Sequence, residues 1–388
     1  VLVLWLLRLL ARPEERLVSS PVNGPLLIFI ALACVSFILG TAYSMSRDVI
    51  RHFGEIVLAL VVYFAVINNV RDDRHVRLFA TLLIVGGFLA SLIGLFLYVL
   101  PAATAASLLG YLRAVHYYPE GHGIIRYIAD NPSLPQRATS TAVDPNVLGG
   151  MLILTTTLAL SQLFSRAPLL RREALGVMLA AMGACMLVTF SRGSWAGLAA
   201  AALFMAIVKY RRMWGLFAVL AAALYFFAPQ ADIFVGHVLS GARFEDQAAA
   251  MRLGEWRDAI RLISQFPVFG VGFGAAPSID TYLGVSNVYL LIAEEMGLVG
   301  LVSFFIVMLA FFAYVLPRLG QIGDPAMEGI LLGIVAALVG ALVAGNLDHY
   351  FFNLQFPHTV TLFWLYMGLA VVVVHNSDAH RDSDSQRS

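Results

Sequence analysis

The sequence predicts an all-α polytopic membrane protein with about 10–12 transmembrane helices. Three observations predict it. Apolar residues make up 60% of the 388 and charged residues 13%, with a mean hydropathy of +0.82. Soluble chains carry roughly 25% charged residues. The apolar residues fall into runs near the length of about 20 that a spanning helix needs. The basic residues, 25 Lys and Arg of which only Lys209 is lysine, cluster between those runs.

Ten runs follow in order: 22–44, 53–70, 77–101, 146–165, 173–190, 194–209, 212–229, 287–316, 327–346 and 357–374. The opening VLVLWLLRLLA reads as the end of an eleventh. Val1 stands in mid-run without a methionine, so further residues are expected before it, and no cleavable signal peptide is visible. The short connections RPEER, RDDRHVR, RAPLLRRE and KYRR are basic, which places them on the cytoplasmic side. Strict alternation puts 15 of the 25 Lys and Arg on that side and two long loops, 102–145 and 230–286, outside. Asp72 and Asp73 sit among arginines and are expected to pair with them. Cys34 and Cys185 lie in separate apolar runs and read as small core residues rather than a disulfide. Residues 1–374 form one integral-membrane domain, and 375–388 a polar cytoplasmic tail expected to be unstructured.

The chemistry-bearing residues concentrate on the outer side. Arg192, in TFSRGSWAGL, has no acidic residue within sixteen positions on either side. It lies in a tight turn whose following helix N-terminus can also direct amides at an anion. A planar, always-charged guanidinium suits bidentate contact with phosphate. Arg252 and Arg257 lie on a stretch, 248–265, whose Leu253, Trp256, Ile260 and Ile263 recur at helical spacing. This reads as an amphipathic helix at the membrane surface, ended by Pro267 and the turn of Gly270, Gly272 and Gly274. With Arg137, these arginines form a candidate outward-facing site for a pyrophosphate; the plainer alternative is a set of interface and solvated arginines.

Two further groups are candidates for proton transfer. Glu294 and Glu295 enter a membrane helix behind Asn287, where carboxylates are costly and either functional or paired with a buried arginine. Asp348 and His349 are adjacent on a short outer loop. His116, Glu120 and His122 match no closed metal site, so no metal is expected.

Five segments in order, RATSTAVDPNVLGGML, TFSRGSWAGL, RLGEWRDAIRLISQFPVFGVGFG, SNVYLLIAEEMGLVGL and DHYFFNLQFPHTVTLFWLYMGLA, resemble the O-antigen ligase and polymerase superfamily. These are membrane glycosyltransferases of the GT-C type, and the resemblance covers residues 130–374. It implies transfer of a glycan from an undecaprenyl-diphosphate carrier to a hydroxyl at the outer face of a bacterial inner membrane. The transfer is implied to be inverting and independent of metal or cofactor. The arginines of the second and third segments, Arg192 and Arg252, would then hold the leaving diphosphate, with Arg137 and Arg257 as further candidates. Asn287 and Tyr289 would contact substrate. The ligases carry a histidine before that Asn as the proposed base, where this chain has Ser286. Glu295, Glu294, Asp348 and His349 are the candidates to replace it.

The departure favours a polymerase, joining lipid-linked repeat units, over a ligase passing the glycan to lipid A core or protein. Implied partners are the lipid-linked oligosaccharide and membrane lipids, with a chain-length regulator as a further candidate and no nucleic acid. The alternative from another class is a transporter or flippase for the lipid-linked glycan. Transporters carry internal repeats and mid-membrane polar sites, whereas here no repeat is visible and the polar clusters lie on one side.

Overall fold

The computed structural model describes residues 18–40, 46–112, 125–142, 144–215, 217–218, 236, 247–274 and 285–385. Eleven α-helices are present among them: α1 (Asn23–Gly40), α2 (Arg47–Asn69), α3 (Asp73–Val99), α4 (Ala102–Gly110), α5 (Pro145–Phe164), α6 (Arg172–Val188), α7 (Arg192–Val208), α8 (Gln247–Gln265), α9 (Val288–Val315), α10 (Pro325–Ala344) and α11 (Pro357–Ser385). Seven are long and apolar enough to cross a membrane, and α6 and α7 are shorter at 17 residues each. Nine of the ten expected runs thus coincide with helices, while most of 212–229, the opening stretch and the His116, Glu120 and His122 group lie outside the described residues.

The helix starts are written into the sequence. Asp144 and Asp324 each accept amide hydrogens of the helix that follows, with proline at the first helical position. The aspartate satisfies orphan amides, and proline has no amide to orphan. Ser46 and Asp72 cap α2 and α3 in the same way. Asp72 also bonds its side chain to the His75 ring at 2.6 Å, and Asp73 accepts from Asn376 Nδ2 at 3.0 Å. The expected pairing with arginines is met only in part: the charge of Arg74 acts on Asp72, but the hydrogen bonds of Asp72 go to the cap and the imidazole of His75, and that of Asp73 to Asn376 of α11.

α10 is the central element, packed on α5, α7 and α11; α11 packs on α2, α9 on α1, and α3 on α6. α5 and α10 are 78% buried over their apolar windows, against 28% for α1 and α3. The first pair forms the middle of the bundle, and the second leaves most of its surface for lipid. Small residues and hydroxyls make the middle tight, as Ser161 Oγ donating to the Gly329 carbonyl at 2.7 Å illustrates.

The connections gather at two ends, as strict alternation requires. At one end Arg77 pairs with Asp324, Lys209 with Glu328, and Arg318 with Asp378 at 3.1 Å. At the other lie 125–142, 189–191, α8, the start of α9 and 345–356. Two expectations are revised. The polar tail is not unstructured, since α11 continues through Ser385 and is tied down by Arg318 and Arg381, the latter on Gln321. The long apolar run 287–316 is not one continuous helix: α9 is interrupted at Gly297 (φ 69°, ψ −176°).

The interruption has a partner. Val271 N donates to the Glu294 carbonyl at 2.8 Å, Gly272 N to the Glu295 carbonyl at 3.0 Å, and Leu298 N to the Pro267 carbonyl at 2.8 Å. Backbone groups at membrane depth need partners within the protein. The glycine turn supplies them, in place of the helical bonds lost at Gly297. A side chain at 297 would meet the Val268 carbonyl and would have to adopt a left-handed backbone conformation, which only glycine does freely.

Candidate functional site

The turn 189–191, which carries Arg192 into the first turn of α7, is held on several sides. Ala138 N donates to the Val188 carbonyl at 2.8 Å, and Arg137 Nε to the Thr189 carbonyl at 2.7 Å. Thr189 Oγ1 donates to the Met186 carbonyl at 2.7 Å and accepts from Ser191 N at 3.2 Å. Trp195 Nε1 donates to the same Met186 carbonyl at 2.9 Å. Within the turn, Phe190 adopts φ 51°, costly for a bulky residue and sustained only where surroundings over-determine the backbone. Arg192 is half-buried at the start of α7.

Arg137 belongs to a small hairpin. Tyr127 and Gln136 form an antiparallel bridge, and Arg137 N donates to the Arg126 carbonyl at 2.7 Å. Gln136 Nε2 covers the carbonyls of Leu97, Tyr98 and Leu100, the exposed end of α3. The Arg137 guanidinium thus reaches inward, its Nη2 donating to Asn146 Oδ1 at 2.6 Å in the first turn of α5. Burial pulls its pKa down to about 10, opposed by Asp144 and Asp348, so it remains a cation at neutral pH. Arg126 lies 3.9 Å from the Asp144 carboxylate.

Asp348 follows α10, in the loop that ends at α11. Its side chain is 9% exposed, with His349 Nδ1 3.8 Å from Oδ1. Burial raises its carboxyl above the ordinary aspartate value, while the charges of His349 and Arg252 oppose that rise. Asp348 is therefore within electrostatic reach of Arg252 on α8 and of Arg137 on the hairpin. Below it, the Tyr350 hydroxyl is 3.4 Å from Ser194 Oγ, which donates to Ser191 Oγ at 2.9 Å. The Tyr350 ring packs against Gly150 of α5, where even a methyl group would not fit. Thr359 Oγ1 holds the Tyr350 carbonyl to the start of α11.

α8 is docked by its acid. Glu255, three residues after Arg252, accepts the Ser286 amide hydrogen on Oε2 at 2.9 Å. Residues three apart share a helix face, so this bond presents Arg252 beside the start of α9. Asn287 caps α9 by accepting from Tyr289 N and Leu290 N at 2.9 and 3.0 Å, and donates to the Asn346 carbonyl at 3.0 Å. Val288 N donates to the Gly345 carbonyl at 2.8 Å. The start of α9 is thereby locked to the loop that carries Asp348.

The expected site residues separate into three groups. Arg137, Arg252, Asp348 and His349 come together, with Arg192 on the turn that Arg137 holds. Glu294 and Glu295 lie at the break of α9, two turns deeper, where Glu294 faces Asp258 of α8. Arg257 is exposed on α8. Asn287 serves as a helix cap. Tyr289 donates its hydroxyl to the Leu342 carbonyl at 2.6 Å and stacks on Phe305. Glu255 was not among the expected residues, although its place one turn after Arg252 in MRLGEW is a visible signal. Among the described residues no group of three His, Cys, Asp or Glu stands close enough to hold a metal ion.

Residues 177–305 match the family model described as O-antigen ligase (Wzy_C). The matched stretch holds the turn of Arg192, α8 with Arg252 and Glu255, and the start and break of α9. It leaves out Arg137, Asp348 and His349, which the fold alone brings to it. No curated protein matches the chain. Over residues 177–305, about a third of the 388, the chain is similar to the O-antigen ligase family.

Proposed function

We propose that the protein is a polysaccharide polymerase, for O-antigen or exopolysaccharide. It transfers a glycan from a polyprenyl diphosphate, undecaprenyl in bacteria, to a hydroxyl of another lipid-linked repeat unit. The observation that carries this reading is the convergence of Arg137 and Arg252 on the Asp348–His349 pair, beside the braced turn of Arg192. The acceptor oxygen attacks the anomeric carbon from the face opposite the diphosphate. The bond from that carbon to the phosphate oxygen breaks, its electron pair leaves with the diphosphate, and the configuration inverts. Fixed arginines answer the charge that grows on the leaving group, which is the most effective place to spend cationic side chains. His349 accepts the acceptor proton, and the charge of Asp348, 3.8 Å from Nδ1, stabilises the imidazolium.

Orientation follows from charge. The end bearing Arg71, Arg74, Arg77, Arg166, Arg171 and Arg172 faces the cytoplasm, and the arginine–aspartate site faces the exterior of a bacterial inner membrane. The polymerase reading is preferred to ligation because Ser286, at the position where ligases carry histidine, has a hydroxyl that cannot act as a base at neutral pH, while its amide donates to Glu255. A transporter would use the break in α9 as a mid-membrane binding point. Here the carbonyls of Glu294 and Glu295 are occupied by the 271–272 amides, which counts against transport.

The test supplies the purified protein with synthetic undecaprenyl-diphosphate repeat units, with and without a lipid A core acceptor. A ladder of lengthening lipid-linked glycan without the core acceptor is the expected result. Product only when the core acceptor is present would replace polymerase by ligase, and no transfer under either condition would contradict both.

A further inference from the structure

The end opposite the candidate site holds a cleft of about 710 Å³ between the first turns of α3 and the connection from α5 to α6. Its polar half is formed by Asp72, Arg74, His75, Arg77 and Thr81, its apolar half by Leu78, Pro168 and Leu169. The charges are unevenly committed. Arg77 pairs with Asp324, and Asp72 spends its carboxylate on the His75 amide at 2.8 Å and the His75 ring at 2.6 Å. Arg74 is exposed, and its charge acts on Asp72, whose carboxylate is bonded to His75 instead. Arg166 and Arg171, both exposed, flank the Pro168–Leu169 wall in sequence.

The apolar half does not stop at the cleft. Leu78, Leu82, Leu89 and Phe96 of α3 are 52%, 57%, 52% and 57% exposed. At 100° per residue these four lie within about 40° of a single line, and 18 residues at 1.5 Å rise make that line about 27 Å long. An uncovered apolar stripe close to the thickness of a bilayer core therefore begins at the lining residue Leu78.

A cleft with an exposed arginine at its rim that opens directly onto a bilayer-length apolar track matches an anionic glycerophospholipid. We propose that this cleft is a binding site for such a lipid, its phosphate on Arg74 at the rim and one acyl chain along the α3 stripe. Basic pockets between helices bind anionic headgroups in this way, and each arginine near the membrane surface contributes roughly a fivefold gain in affinity. A soluble phosphate compound would satisfy Arg74 but leave the walls of Leu78, Pro168 and Leu169 without a counterpart. The site is independent of glycan transfer.

The test is native mass spectrometry of the full chain released from detergent with phosphatidylglycerol, phosphatidylethanolamine or phosphatidylcholine. Wild type is expected to retain phosphatidylglycerol over phosphatidylcholine, with affinity falling about fivefold in Arg74→Gln and held in Arg74→Lys. Arg212→Gln removes the same charge at the same end outside the cleft, and is expected to bind as wild type does. Equal losses in Arg74→Gln and Arg212→Gln would show diffuse surface attraction and overturn the site. So would the absence of any preference among the lipids. Displacement of the lipid by excess inorganic phosphate would overturn the assignment to a lipid in favour of a free anion.

Discussion

Arg137 donates its Nε hydrogen to the Thr189 carbonyl at 2.7 Å, so a side chain from one loop sets the backbone that presents Arg192 on another. The same guanidinium reaches Asn146 Oδ1 at 2.6 Å. Lysine has the charge but not the planar fork, and cannot hold both acceptors. Arg137→Lys is expected to lose about 1–3 kcal/mol of stability, through buried acceptors left without donors. Transfer activity should fall with it by at least tenfold. Thermal unfolding in detergent and turnover on a lipid-linked substrate measure the two. Full activity in the lysine variant would show that the bracing of the 189–191 turn is not needed.

Asp348 gives the pH dependence its sign. Its carboxyl is raised by burial above the ordinary 3.8, so it ionises only as pH climbs past that value. Activity that needs the aspartate charged should therefore rise with pH along an acid limb placed above 3.8. The folded protein binds this proton more tightly than the unfolded chain, so this group's stabilising contribution is present below 3.8 and is lost as pH rises through its raised value. Asp348→Asn should abolish the aspartate's limb and lower the plateau, by about 10²–10⁴ where the base loses the charge that stabilises its protonated form. An unchanged pH profile in this variant would remove Asp348 from the chemistry.

Glu255 is a positioning residue for Arg252, and its variants distinguish shape from charge. Glu255→Gln keeps an oxygen for the Ser286 amide and should retain the α8 docking. Glu255→Ala removes the acceptor and should raise KM for the lipid-linked donor about tenfold, the cost of a hydrogen bond to a charged group. Comparable KM values for Ala and wild type would mean that α8 docks without this contact.

Gly297 can be tested against a glycine that does nothing special. A methyl group at Gly86 meets nothing within 4 Å, whereas at Gly297 it meets the Val268 carbonyl from a backbone with φ 69°. Gly297→Ala is expected to cost at least about 1–3 kcal/mol and Gly86→Ala nothing. Thermal stability of the two purified variants decides it; equal midpoints would contradict the role given to the 267–272 turn in bridging the break.

Much of this fold is legible because hydropathy and capping agree. Asp144–Pro145 and Asp324–Pro325 announce helices, and the runs behind them have spanning length. Basic connections sort the ends. The break in α9 is not legible, since EEMGLVGL continues an apolar helical pattern straight through Gly297. The face of α8 is only partly legible. Of the stripe Leu253, Trp256, Ile260 and Ile263, Ile260 is 58% exposed, while Ala259 and Leu262 are buried. Beside a bilayer an apolar residue can face lipid as well as protein, so periodicity does not choose the packed side. Arg192 and Arg252 stand out in sequence through their scarce acidic neighbours or their helix. The association of Arg137 with Asp348, 211 positions apart (348 minus 137), depends on how loops fold over helix ends and has no local signature.

The central claim is that Arg192 and Arg252 stabilise a departing diphosphate. The most direct measurement compares wild type, Arg192→Ala and Arg252→Ala on defined undecaprenyl-diphosphate oligosaccharide with EDTA present, following release of undecaprenyl diphosphate and product length together. The account predicts turnover by wild type in EDTA and loss of at least about 10² in kcat/KM in each variant. Turnover unchanged in both variants, or abolished in wild type by EDTA and restored by a divalent cation, would contradict it.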